Sequence, residues 1–315
     1  MRFLGYNDSR MKQRKWKLSM LLPVGLLSVI GAGLVVSSCN DADGQAAVSP
    51  KKAATKVLYV TIEPGRFHDY KAQKELFLEV SGKNEWETTV LTGSHHDVIE
   101  KLASEPNFAD GYDVVVYNFC FAGCANLDVP YNIIEQTKTK GIPAMLIHCS
   151  LHSFWPTYKV KGENAVHAPG APEKAHTKKE LLAKWNKEHP GKAFPSWATF
   201  TGISSTKHGP KTPIKTKNLI ADHGALKDVP EYETVNAELY NNFINAEGSK
   251  DSLPIMEGVQ GKASSIILWE HPVGKSKTVS FTLGHSTAEW QQAEFQQVIK
   301  STVNYLAENP SSAKK

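Results

Sequence analysis

The chain has 315 residues, 36 Lys and Arg against 32 Asp and Glu, and a formal charge of +4. That charge is unevenly placed: residues 1–38 hold Arg2, Arg10, Lys12, Arg14, Lys15 and Lys17 against Asp8 alone, so the rest of the chain is formally −1. The basic balance therefore belongs mostly to the N-terminus, and nothing in the charge of the remainder calls for a nucleic acid or an anionic membrane surface as partner.

The N-terminal basic stretch is followed by an uncharged run from Leu18 to Val36 and then by small residues. This order is the layout of a secretory signal. The run closes on Val36-Ser37-Ser38-Cys39, followed by Asn40. The tetrad resembles the lipobox of bacterial lipoproteins, in which the cysteine becomes lipidated and N-terminal. The competing reading is an uncleaved transmembrane helix, because ~20 apolar residues span a bilayer; Pro23, Gly25, Gly31 and Gly33 weaken such a helix. Both readings put the positive flank inside and the remainder outside. The expectation is an exported lipoprotein, in the periplasm or at the cell surface, anchored to the membrane through Cys39. Residues 1–38 are the signal, 39–55 a lipidated cysteine and flexible tether, 56–308 one domain, and 309–315 a disordered tail. The domain has about 250 residues, enough for one large core. It holds Cys120, Cys124 and Cys149. The first two are close enough in sequence to bridge in an oxidising compartment, and Cys149 is expected to be the unpaired thiol.

In chain order, Val57–Ile62 is a short apolar run and reads as a buried strand, and Tyr70–Val80 has helical spacing. Trp86–Leu91 reads as a strand, Asp97–Leu102 as a short helix, Asp113–Asn118 as a strand, Val129–Lys140 as a helix closed by Gly141, and Pro143–His148 as a strand. Near-continuous apolar strands separated by helices indicate an α/β fold with a parallel sheet covered on both faces. Residues 156–213 break this rhythm and read as a long excursion over the carboxyl ends of the strands, with one helix near Lys178–Lys187. Ser264–Trp269 and Thr278–Leu283 read as strands joined by a turn at Pro272, Gly274 and Lys275, and Ala288–Leu306 as a closing helix.

Ligands of open parallel sheets bind outside the carboxyl ends of the strands. Histidines recur there: His68 after the first strand, His95 and His96 after the second, His148 and His152 after the fourth, and His285 after the last. His95 and His96 read as surface residues capping the following helix.

The same segments carry a family resemblance. "AMLIHCSLHSFW" resembles the strand ending in a Gly-Ile-His-Ser type segment of the ThuA-like (trehalose-utilisation) family, a branch of the class I glutamine-amidotransferase-like fold. "WATFTGISSTKHGP", with Gly202 and His208, resembles its Gly-x(5)-His-Pro stretch. "IADHGALKDVPEYETVNAELY" resembles its His-Pro…Asp-Glu-x-Tyr stretch, with His223, Glu238 and Tyr240. "IILWEHPVGKSKTVSFTLGH" resembles its strand, Gly-Lys turn and strand delivering Gly-His, ending at His285. The likeness runs from about Lys56 to Ala307 and implies a flavodoxin-like or amidotransferase-like parallel sheet. It also implies a small-molecule carbohydrate as ligand: a disaccharide, a glycoside or a keto-sugar.

Converging imidazoles suit two tasks. Neutral nitrogens bind a divalent metal such as zinc, or one imidazole acts as general base while others orient a polar substrate. The expected catalytic or metal-binding set is His68, His148 and His285, with Glu238 as an acid/base carboxylate or ligand. His208, Trp155, Trp290 and Tyr240 are expected to bind substrate, the tryptophans by stacking on a sugar ring. Trp269 reads as core. Cys149 lies near the position where amidotransferases carry their nucleophile, but "IHCSLH" lacks the glycines of a strained elbow, so an ordinary cysteine amidotransferase is not expected. Two reading classes stay open: a carbohydrate-active enzyme and a non-catalytic binding or scaffold module.

Overall fold

The computed structural model describes residues 53–158, 178–244 and 247–311. The signal, Cys39, most of the tether, the centre of the excursion and the last residues of the tail lie outside them. Among the described residues no helix is long and apolar enough to cross a membrane.

Strand β1 (Lys56–Thr61) leads to helix α1 (Tyr70–Lys83), then β2 (Glu87–Leu91), α2 (His95–Ser104), β3 (Val114–Asn118), α3 (Asp128–Lys138) and β4 (Ala144–Ile147). After the excursion with α4 (Lys178–Glu188) and α5 (Trp197–Thr201) come β5 (His208–Thr212), β6 (Lys215–Asn218), β7 (Ala237–Tyr240), β8 (Leu253–Gln260), β9 (Ala263–Val273) and β10 (Ser276–Phe281). Helices α6 (Thr287–Trp290) and α7 (Ala293–Glu308) close the fold.

Eight strands form one sheet in the order β2-β1-β3-β4-β10-β9-β8-β6. From β2 to β10 neighbours are parallel, whereas β9, β8 and β6 continue the sheet antiparallel. The expected parallel sheet is thus one half of a mixed sheet. Of the antiparallel half, β9 was expected from Ser264–Trp269, whereas β8 and β6 were not; β6 is KTKN, and its exposed lysines carry no apolar run. Strands β5 and β7 pair separately as a two-stranded ribbon.

Alternation along each strand fills two layers, as the pleat requires. Leu58, Val60, Val115, Tyr117 and Leu146 pack with Leu102, Val129, Ile133, Trp197 and Phe200, contributed by α2, α3 and α5. Val57, Tyr59, Val114, Val116 and Met145 face Phe77, Val80, Phe295, Val298, Ile299, Val303 and Leu306 from α1 and α7. Helices cover both faces, as the buried strands imply.

Local chemistry sets the helix ends. The Asp69 side chain accepts from the Ala72 N–H at the start of α1. Ser94 and Asp97 form a reciprocal capping box on α2, so the cap of that helix is Ser94, and His95 and His96 are its first residues. The closing helix is interrupted: Ser286 and Glu289 box the short α6, and α7 begins anew at Ala293.

Candidate functional site

A cavity of about 600 Å³ opens at the carboxyl edge of the parallel strands, within the ~300–1,000 Å³ common for small-molecule sites. Its walls include Phe67, His68, Cys120, Cys149, His152, Trp155, His208, Lys211, Glu238, Tyr240 and His285.

Three strand ends deliver the histidines. His68 sits between β1 and α1, and its Nδ1–H donates to the His285 carbonyl at 3.0 Å. That edge is braced by Gln73, whose amide donates to the Gly284 carbonyl at 3.1 Å. Gln73 is itself oriented by the Asn118 amide at 3.0 Å. His148 follows β4 directly with φ of +46°, a conformation that disfavours a residue with a Cβ. Its Nδ1–H donates to the Thr282 carbonyl at 2.7 Å, across the neighbouring strand β10. A sharp turn therefore exists after β4 without the glycines that sequence reasoning sought, and it carries His148. His285 follows β10 through Gly284, whose φ is +113°. There a Cβ would come within 3.1 Å of Phe295 and 3.2 Å of the Trp290 indole nitrogen.

The His68 and His148 ring centroids lie 4.9 Å apart, those of His68 and His285 4.8 Å, and those of His148 and His285 5.5 Å. One nitrogen from each ring lies within 4.8 Å of the others. On His68 and His148 the Nδ1 proton is committed to a backbone carbonyl, which leaves Nε2 as the accepting atom. Metal-ligating histidines are held in this way. On His148 that Nε2 is taken by the Tyr240 hydroxyl. His285 is different. Its Nδ1 is buried and has no hydrogen-bond partner, although Glu238 Oε1 lies 3.4 Å away. Its Nε2 lies 2.7 Å from Lys211 Nζ. An ammonium only donates, so His285 Nε2 accepts from it and Nδ1 carries the proton. Ligation through Nε2 would take the place of Lys211, and ligation through Nδ1 would need the proton on Nε2. Either way Lys211 must move, which its exposed, long side chain allows. With Lys211 displaced and the Tyr240 hydroxyl released from His148 Nε2, the three imidazoles fit a divalent ion such as zinc, with the Glu238 carboxylate beside it.

The rings are held neutral. Burial and the neighbouring His68 push His148 well below the usual histidine range. Burial lowers His68, partly offset by its bond to the His285 carbonyl. Burial, His68 and Lys211 bring His285 down to about 4, and burial with His208 brings His152 down to about 3. Neutral imidazoles are the form that binds metals.

The β5–β7 ribbon supplies the other wall. Glu238 on β7 is buried, 5% exposed. It lies 3.7 Å from His148 Nε2, 3.6 Å from His208 Nε2 and 3.5 Å from Lys211 Nζ. The Tyr240 hydroxyl donates to His148 Nε2 at 3.2 Å. The Tyr240 ring stacks on His152 at 3.9 Å with planes 5° apart, and His152 meets Trp155 edge-on at 5.6 Å.

His208, Trp155 and Tyr240 thus line the cavity with His68, His285 and Glu238, and His148 lies buried directly behind Tyr240 and Glu238. Trp290 does not. It is 1% exposed, packs on Phe295 and donates its indole N–H to the Gly284 carbonyl at 3.1 Å. It positions the turn that carries His285 and offers no face to a sugar. His223 lies elsewhere, capping the turn at Gly224–Leu226 and facing Glu270. His96 is exposed beside Glu100. The thiol expectation is also corrected. Cys120 and Cys149 are the adjacent pair, with sulfurs 2.8 Å apart, whereas the Cys124 thiol faces the Asn126 carbonyl. Sequence reasoning missed Lys211. Its odd spacing from His208 would put it on the opposite face of a regular strand; a register shift between the two residues brings both to the same wall.

These features define an α/β protein with a mixed sheet and a histidine-lined pocket at the strand carboxyl ends. No family model matches the sequence, and no curated protein matches it. Among solved structures, a ThuA-like protein from Bacteroides uniformis superposes with a TM-score of 0.54 at 11% identity, over 82% of this chain and 94% of that one. A ThuA-like protein from Parabacteroides merdae gives 0.54 at 12% identity, over 84% and 93%. A glutamine amidotransferase from Thermotoga maritima gives 0.44 at 10% identity, over 82% and 100%. The chain has the fold of the ThuA-like proteins, the resemblance its motifs carry.

Proposed function

We propose that the protein is an exported, lipid-anchored carbohydrate-processing protein acting in sugar catabolism, with a divalent metal such as zinc in its pocket. The observation that carries this reading is the convergence of His68, His148 and His285, from three strand ends, beside the buried carboxylate of Glu238. When bound, such an ion supplies a Lewis acid that polarises a hydroxyl or carbonyl oxygen. The chain's own groups do the rest. Glu238 accepts a proton from the reacting hydroxyl. His208 and Lys211 flank that carboxylate and offer donors to sugar oxygens. The Tyr240 hydroxyl becomes available to substrate once His148 Nε2 is engaged, and Trp155 gives an apolar edge for a ring. Among the described residues lining the cavity Glu238 is the one carboxylate. This argues against hydrolysis by the paired carboxylates of most glycosidases and favours a disaccharide, glycoside or keto-sugar handled by proton transfer at an activated oxygen.

The test combines elemental analysis of the purified protein with calorimetric titration of a sugar panel, with and without added zinc. One equivalent of metal per chain and a sugar that binds only in its presence are expected. Protein that takes up no metal and binds no sugar on the panel overturns the reading.

Anchoring is tested separately. Cys39→Ala is expected to accumulate as precursor and to take up no radiolabelled fatty acid, because the small-residue tetrad loses its acceptor thiol. Normal processing and labelling of the mutant would remove the lipoprotein assignment.

A further inference from the structure

We infer that Cys120 and Cys149 form a disulfide in the wall of the cavity when the protein meets a small-molecule disulfide as oxidant. The geometry originates in the sheet. Strands β3 and β4 are parallel neighbours with Val115 opposite Ala144 and Tyr117 opposite Leu146. The strand register ends at Ile147, where His148 turns the chain into a short 3-10 turn over His148–His152, and that turn sets the Cys149 sulfur against Cys120, two residues past β3.

The two loops are fastened together beyond the thiols. The Phe121 N–H donates to Ser153 Oγ at 2.9 Å. The Phe154 N–H donates to the Phe121 carbonyl at 3.0 Å, and the Trp155 N–H to the Ala122 carbonyl at 2.9 Å. The sulfurs themselves are 2.8 Å apart and need only a small approach to bond. Both line the cavity, so a small reagent reaches them through its mouth. The third thiol of the domain, Cys124, is buried and turned toward the Asn126 carbonyl, so it does not compete.

The exchange balances in two displacements. The Cys120 sulfur attacks the oxidant's disulfide, breaking its S–S bond and releasing one thiol that takes the Cys120 proton. The Cys149 sulfur then attacks Cys120, displacing the second thiol, which takes the Cys149 proton. The protein loses two electrons and two protons, and the oxidant becomes two thiols. In the bridged form neither sulfur is a nucleophile or a thiolate ligand beside His148, so the imidazoles and Glu238 alone choose the ion. The inference stands apart from the proposed function, because its test reads thiols and not sugars or metal.

Wild-type full-length protein is incubated with oxidised glutathione or with dithiothreitol, alkylated after denaturation, digested and mapped by mass spectrometry. The expected result is a Cys120–Cys149 linked peptide in most oxidised molecules, lost under dithiothreitol, with Cys124 alkylated in both. In Cys120→Ser, Cys149 should be left alkylated or carrying glutathione, without an internal bridge. Oxidised wild type in which Cys120 and Cys149 are each alkylated, or each carry glutathione, would overturn the inference. So would a bridge from either of them to Cys124.

Discussion

Alanine at position 148 is expected to lower zinc affinity at least about 100-fold, because even outer partners of a metal site are worth about 10–100-fold. His148 is the most buried of the three site histidines, 2% exposed. Its Nδ1–H is fixed on the Thr282 carbonyl, so its Nε2 is the best-oriented lone pair of the cluster. The substitution also strips the Tyr240 hydroxyl of its acceptor, and unpaired buried polar groups cost about 1–3 kcal/mol. Folding is therefore followed by circular dichroism alongside metal titration. His96→Ala serves as control, since His96 is exposed and remote from the cavity, and it should leave affinity unchanged. A folded His148→Ala protein that binds zinc like wild type would place the metal elsewhere or nowhere.

Metal-free protein is expected to lose about 3 kcal/mol of stability between pH 7.5 and pH 5. In the folded state His152 titrates near 3 and His285 near 4, against 6.5 when unfolded. Their folded values are depressed, so below 6.5 the unfolded chain binds protons that the folded chain refuses. Stability is full above 6.5 and falls as pH drops toward the folded values. At about 1.4 kcal/mol per pH unit, the interval from 6.5 to 5 removes ~2 kcal/mol through the buried His152. His285, partly open to solvent, contributes about half as much after screening. His68 and His148 are also lowered and act in the same direction. Glu289, raised by burial, opposes them as a single group. Urea unfolding at the two pH values measures the difference. A stability that is flat or rises on acidification would mean that these rings are not held neutral.

What the sequence made legible follows from where each signal lives. β1, β3 and β4 are buried on both faces, and their unbroken apolar runs announce them. Residues just after such strands must lie at the ligand-bearing edge, so His68, His148 and His285 could be grouped before any coordinates. The ribbon could not be read this way. β5 reads HGPKT and is largely exposed, and β7 is four residues long. Nothing local shows that their antiparallel pairing turns Glu238 inward beside Lys211 and His208. Trp290 misled for the opposite reason: it is close to His285 in sequence, but its ring turns back onto Phe295 in the core. The cysteines show the same limit. Cys120 and Cys124 are neighbours along the chain, whereas the turn after β4 makes Cys120 the neighbour of Cys149.

Two separate sheets build the one cavity. The main sheet seats three imidazoles on its strand ends, whereas the β5–β7 ribbon contributes His208, Lys211, Glu238 and Tyr240. The ribbon is fastened by Gln260 of β8, whose amide donates to the carbonyls of Pro210, Thr212 and Ala237. Such a division lets heredity work on the two halves independently. Substitutions at 208 or 211 reset the charge presented to a ligand without disturbing the backbone turns that hold His148 and His285. A lineage of such proteins can therefore diversify in what it recognises while inheriting its ring of histidines intact.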